Sequence, residues 1–249
     1  MKKNSNKRVL LLSLAALLFS SNFLFAQEAD DKDPKNQVKW NVAALAVKSF
    51  SFQFERAIGS KMSAAVTFRT VPKGSIPFES SFENLVDDPE TWDNIKGFET
   101  GNFAITPEVR FYLGEKVFKG FYVAPFVSYA SYSVDVPFGY DVSGSRKEMP
   151  LTGDITSFGG GVFLGAQWSL GKSFSLDAFV GPNYSSASGD LVGTRTLSTQ
   201  EQDGLREGLE DLDLPFLDTK STVSGTGAKI DFDGSLPGIK AGISIGFKF

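Results

Sequence analysis

The chain has 249 residues, and not one of them is Cys or His. Without Cys there is no disulfide framework, no thiol nucleophile and no thiolate-held metal. Without His, triads of the Ser-His-Asp kind, His-ligated zinc and every mechanism that uses an imidazole base are excluded. No long apolar run is present either. The stretch Val9–Phe19 (VLLLSLAALLF) falls far short of the roughly 20 residues that a membrane-crossing helix needs.

That stretch instead follows Lys2, Lys3, Lys7 and Arg8, with no acid among them. A basic start, a short apolar core and a cleavage point after Ala26 describe an export signal over residues 1–26. Its removal leaves 21 basic against 29 acidic residues, a net of −8, which disfavours nucleic acid as a partner. Residues 27–37 (QEADDKDPKNQ) form a polar leader, and residues 38–249 are expected to fold as one domain.

In that domain apolar and polar residues alternate, which is the signature of strands. The clearest stretch is 239–249. One face reads Ile239, Ala241, Ile243, Ile245, Phe247, Phe249 and the other Lys240, Gly242, Ser244, Gly246, Lys248. The same pattern recurs over 39–47, 50–58, 62–71, 102–113, 155–170 and 174–188. An eighth strand, 120–137, carries aromatics on both faces, so its facing is open. Apart from the first, long connections follow odd strands (72–101, 138–154, 189–236) and short ones follow even strands. Long loops at one end and tight turns at the other fit an all-β, eight-stranded antiparallel up-and-down transmembrane barrel. The apolar face is then expected to meet lipid, the Gly- and Ser-rich face to line the lumen, and both termini to lie in the periplasm.

The terminal GISIGFKF, the second-strand ending FQFERAIG and the fifth-strand opening GFYVAPF resemble those of small eight-stranded outer-membrane barrels of the OmpA/OmpX type, especially those common in Bacteroidota. The resemblance implies that Ile243, Ile245, Phe247 and Phe249 form the signal read by the barrel-assembly machinery. It also implies contact with outer-membrane lipid and lipopolysaccharide. Nothing follows the strand 239–249, so the peptidoglycan-binding domain that OmpA carries is not expected here. The catalytic barrels similar to this one need a His, so the resemblance implies no catalysis here.

Three short motifs read as structure. Gly171-Lys172-Ser173 has the wrong spacing for a phosphate loop and fits a periplasmic turn. Gly159-Gly160-Gly161 lets a strand bend or pack closely. Asp231-Phe232-Asp233-Gly234 has the start of a calcium loop without the closing Glu. No cofactor or metal site is assigned.

The inward charges form the candidate site. Glu55, Glu108, Arg110 and Asp177 each lie four to six residues from a turn and should share one level of the lumen. Lys39 and Lys248 are expected at the periplasmic rim, and Arg69 and Lys240 higher up. An eight-stranded barrel has room for little beyond its own side chains, so these charges should pair across it.

Two loops are acidic. Loop 72–101 has a net charge of −5, and Asp88-Pro89-Glu90 opens a short helix to about Lys96. Loop 189–236 holds a capping box, Ser198-x-x-Glu201, followed by Leu205, Leu209 and Leu212 at helical spacing, which predicts a lid helix. Both loops are expected to face an extracellular ligand, cationic partners or bridging divalent ions. The expected function is a structural or surface-interaction role without catalysis. The alternatives are a narrow pore or conduit for a small hydrophobic ligand, and a soluble lipocalin-like carrier.

Overall fold

The computed structural model describes residues 34–75, 89–212 and 214–249. The export signal and most of the polar leader lie outside the described residues, as do the segment 76–88 of the first acidic loop and Asp213.

Among the described residues nine strands form one antiparallel sheet: β1 (Asn36–Asn41), β2 (Phe50–Ala57), β3 (Met62–Ser75), β4 (Glu99–Tyr112), β5 (Gly120–Val142), β6 (Ser145–Leu170), β7 (Phe174–Thr194), β8 (Leu217–Ser224) and β9 (Gly227–Lys248). Each of β1 to β7 pairs with the next, β7 pairs with β9, and β9 returns to β1, which closes a ring of eight strands. The closure is short, running only from Gln37↔Lys248 to Asn41↔Ser244. β8 stays outside the ring, paired to the far part of β9. Helices α1 (Pro89–Ile95) and α2 (Thr199–Glu210) complete the fold.

The sheet twists into a barrel because its strands are two-faced. On β7, Ser175, Asp177, Phe179, Gly181 and Asn183 point inward, while Phe174, Leu176, Ala178, Val180, Pro182 and Tyr184 point outward. Beyond Tyr184 the outward residues become Ser186, Ser188 and Asp190. The same switch occurs after Phe158 on β6, which continues outward as Thr156, Asp154 and Thr152. It occurs again after Tyr129 on β5, with Ser131, Ser133 and Asp135. The aromatic content of β5 hides its facing in the sequence. In the structure Tyr122, Ala124, Phe126, Ser128 and Ala130 are buried inside, and Phe121, Pro125, Val127 and Tyr129 are outside.

Three expectations are corrected. Residues 42–47 are not strand: Asn41 Oδ1 accepts the Ala44 N–H at 3.2 Å, and Ala43–Val47 winds into a 3-10 turn that ends at Lys48 with φ 54°. Alanine-rich AALAV favours this turn over an extended edge. The region 138–154 is mostly strand, and about half of 189–236 is strand as well. β5 and β6 meet at Ser143-Gly144, where φ values of 49° and 80° suit a two-residue hairpin turn. β7, β8 and β9 likewise fill much of the second region. Asp231-Phe232-Asp233-Gly234 is also strand, paired to both β7 and β8, with Phe232 buried inward, so its carboxylates cannot wrap an ion as a calcium loop does.

Candidate functional site

Side chains occupy the lumen in layers. At the turn end Phe118 is buried against Tyr112 and Tyr122. Above it lies an ionic cluster. Arg110 Nε donates to Glu108 Oε1 at 2.5 Å and its Nη1 donates to Asp177 Oδ2 at 2.6 Å. The same Nη1 is 3.4 Å from Glu55 Oε2, and the guanidinium carbon stands 4.4 Å over the Tyr122 ring. Lys39 Nζ reaches both Glu55 and Asp177 at 2.5 Å. These five side chains are essentially shielded from solvent, and hydroxyls and amides complete their shell. Ser63 Oγ donates to Glu55 at 2.5 Å, Tyr122 OH donates to Asp177 at 2.7 Å, and Tyr112 OH lies 2.7 Å from Glu55 Oε1.

The structure thus brings Glu55, Glu108, Arg110 and Asp177 together. It places Lys39 inside the cluster rather than at the rim: the long stem of a β1 lysine carries its charge inward. Tyr112, Tyr122, Ser63 and Gln167 were not singled out in the sequence, although each stands on the inward face of its strand. Lys248 does stay near the end of the barrel, donating to Ser169 Oγ at 3.1 Å. Arg69 and Lys240 do not join the cluster.

An aromatic shelf separates the two levels. Phe126 stacks on Phe163 at 4.0 Å, and Phe163 meets Phe179 at 4.8 Å. The glycines of β6 make room for it, since a Cβ at Gly161 would come within 2.9 Å of the Phe126 ring. That is the close packing expected of the Gly159-Gly160-Gly161 run. Above the shelf Arg69 donates twice to Asn102 Oδ1, at 3.1 and 2.7 Å, and Lys240 donates to Ser128 Oγ at 3.0 Å. A cavity of about 40 Å³ opens there, bounded by Arg69, Lys240, Ser128, Ser157 and Asn183.

The top layer is apolar. Leu205 and Leu209 of α2, with Leu212 just beyond, pack on Phe138, Tyr140, Met149, Leu151, Leu191 and Ile230. These are the inward positions of the extended β5, β6, β7 and β9, so the predicted lid helix lies against the lumen side of the raised wall. Ser198 Oγ accepts from Glu201 N, and Glu201 caps Ser198 N in return at 2.9 Å. The hydrogen bond from Lys147, at 2.9 Å, and those from Ser198 hold the Glu201 carboxyl down to about 2. In the first acidic loop α1 starts at Pro89, as its proline predicts, and Asp93 pairs with Lys96 at 2.8 Å. Among the described residues no group of three carboxylates stands close enough to hold a metal ion.

Residues 10–204 match the family described as "Protein of unknown function (DUF3575)", and the chain belongs to that family. The match ends inside α2, before β8 and the closing strand β9. No curated protein matches the chain. Among solved structures it is similar to the N-terminal β-barrel domain of Pseudomonas aeruginosa OprF, at 9% identity over 87% of this chain and 98% of that one, with a TM-score of 0.29. It is also similar to the translocator domain of the autotransporter NalP from Neisseria meningitidis, at 12% identity over 99% and 98% with a TM-score of 0.37. Acinetobacter baumannii CarO follows at 11% identity over 89% and 100%, with a TM-score of 0.34. The barrel assignment rests on the strand pairings of the chain itself.

Proposed function

We propose that this family member is an integral outer-membrane barrel whose lumen is blocked along its axis, which presents a structured cap outside the cell and acts by structure or surface contact rather than by catalysis. The observation that carries this is the outward switch on adjacent strands. From Phe174 to Tyr184 the outer face of β7 is apolar and bounded by aromatics. At about 3.4 Å per residue and a tilt near 40°, those ten steps rise about 26 Å, close to the ~25 Å apolar band of outer-membrane barrels. A soluble barrel would not leave Phe121, Leu164, Trp168, Phe174, Val180, Ile243 and Phe247 exposed on one continuous wall.

In this reading the turns and both termini are periplasmic, residues 1–26 direct export, and Ile243, Ile245, Phe247 and Phe249 are read by the assembly machinery. Lipid and lipopolysaccharide surround the band. Asp203, Glu207, Glu210, Asp211 and Asp218 are exposed on the cap, as a surface for cationic partners or bridging divalent ions. The filled layers of the lumen support a role without conduction. Carbonate extraction together with planar-bilayer recording tests both halves. The expected outcome is a carbonate-resistant, heat-modifiable protein that gives no conductance steps. Recovery in the soluble fraction would refute the membrane placement, and regular steps would favour the narrow pore or conduit.

A further inference from the structure

The ring is not closed over its whole height. β9 pairs with β1 as far as Asn41↔Ser244, and Val42 N–H adds one bond to Ile243 O at 2.9 Å. Its pairing with β8 ends at Leu217↔Gly234, with Ser235 N–H donating to Phe216 O at 3.1 Å. Between these points β9, among the described residues, has a strand on its β7 side only. On that open edge, the backbone groups of Ile239 and Ala241 meet no partner among the described residues, and Pro237 has no N–H to leave unpaired. Across the opening β2 stops pairing at Phe50↔Thr70, so Val71–Ser75 of β3 has no strand on that side among the described residues. The cause is the turn Ala43–Val47, which replaces the upper half of β1.

This gap lies within the apolar band. Ile239, Leu45, Val47 and Phe50 are exposed around it. From its foot an apolar groove of about 410 Å³ runs over the outer wall, where the small side chains Ala43, Ala178 and Ala241 stand between Leu164, Val180 and Ile243.

Lys240, on the gap's own strand, lines the cavity above the aromatic shelf together with Arg69. Its ammonium crosses the lumen to Ser128 and stands 5.1 Å over the Phe126 ring. Both cations are half-buried, neither forms an ion pair among the described residues, and no carboxylate lines the cavity. Two half-buried cations here lack a counter-charge, whereas five buried charges one layer below pair with one another. Volume fits as well: about 40 Å³ holds roughly three waters at ~10–15 Å³ each, or one small oxyanion group.

We propose that the upper lumen binds the anionic phosphate group of an amphiphile at Arg69 and Lys240, with its apolar tail leaving through the gap beside Ile239 and Ala241. The proposal rests on the membrane reading above, because the tail must find lipid outside the gap. Arg69, whose Nε and Nη2 hold Asn102, offers its remaining Nη1 edge to phosphate oxygen, Lys240 supplies a point charge, and the hydroxyls and amide around them add donors.

The test uses the full mature chain in maltoside micelles, with native mass spectrometry after exposure to equal amounts of phosphatidylglycerol and phosphatidylcholine. Heat-modifiable migration is checked for every sample. Wild type is expected to retain one phosphatidylglycerol at least tenfold over phosphatidylcholine, and an excess of inorganic phosphate should not displace it. The double variant Arg69→Gln/Lys240→Gln should lose that preference, while Lys220→Gln, which removes a cation from the outer hairpin, should keep it. A preference that survives in the double variant overturns the proposal, as does its absence from wild type. Displacement by inorganic phosphate would make this a free-ion site and overturn the lipid assignment. A wild type that is not heat-modifiable defeats the membrane reading and the proposal with it; a heat-modifiable wild type without the preference defeats the proposal alone.

Discussion

Replacing Arg110 by Ala would leave Glu55, Glu108 and Asp177 facing one another, with Lys39 as the one cation still paired to them among the described residues. The side chain removed is 1% exposed and makes contacts at 2.5, 2.6 and 3.4 Å with three carboxylates. Breaking a buried pair by deleting one partner costs about 3–5 kcal/mol, because the remaining charge has no water to turn to. Lys96→Ala is the control at the surface. Lys96 is 57% exposed and its pair with Asp93 spans 2.8 Å, so its loss should cost about 0.5 kcal/mol or less. Urea unfolding in matched lipid vesicles separates the two. With a slope of about 2 kcal/mol per molar, the Arg110 variant should unfold about 2 M earlier and the Lys96 variant within about 0.3 M of wild type. Adding Glu108→Gln to an Arg110→Met chain should recover part of the loss, since one orphaned charge goes with its partner. Equal midpoints for Arg110→Ala and Lys96→Ala would show that Arg110 is not sealed inside, and would refute the cluster as a structural tie.

Leu205→Ala should loosen the cap by about 2–5 kcal/mol, seen as faster amide exchange in α2 and the extended β5–β6 hairpin, while the lower barrel stays protected. Glu201 contributes to the same cap through its ionised form. Because its carboxyl is held at about 2 in the folded state, below its usual 4.5, that contribution is complete above pH 4.5 and is lost as pH falls toward 2. Amide exchange of α2 as a function of pH checks this, and Glu201→Gln should abolish the dependence. Phe249→Ala keeps the backbone bonds to Asn36 and removes only the terminal ring. It should lower the amount of chain in the outer membrane without changing export, as fractionation of expressing cells would measure.

The barrel was legible because a period of two does not depend on distant contacts. In 239–249, 174–188 and 102–113 each side chain declares its face once the strand is recognised. Glu55, Glu108, Arg110 and Asp177 could be placed at one level by counting from the turns. Lys39 could not, since its position depends on how far a flexible stem reaches and on β1 ending early. The raised wall is hidden in the sequence for a different reason. Met149, Leu151, Leu191, Ile230 and Phe232 do alternate, but their outward neighbours Asp154, Asp190, Asp231 and Asp233 are acidic, which reads as a loop until a second core is known to lie inside. The helix that fills this core was visible from Ser198, Glu201, Leu205 and Leu209. What it packs on was not. The gap beside β9 has only Pro237 as a local sign, and it follows from the turn at Ala43–Val47, where helical preference outweighs a short alternating pattern.

The outward band is tested most directly by placing single cysteines along β7, which the Cys-free chain allows without background. With Leu176→Cys, Ala178→Cys, Val180→Cys, Ser186→Cys and Ser188→Cys variants in intact outer membranes, a water-soluble maleimide measures access position by position. Residues 176, 178 and 180 are predicted to resist labelling and, once tagged with a fluorophore in vesicles, to be quenched by brominated lipid. Residues 186 and 188 should label fully and escape quenching. Equal labelling of positions 178 and 188 would contradict a lipid-facing band that ends at Tyr184.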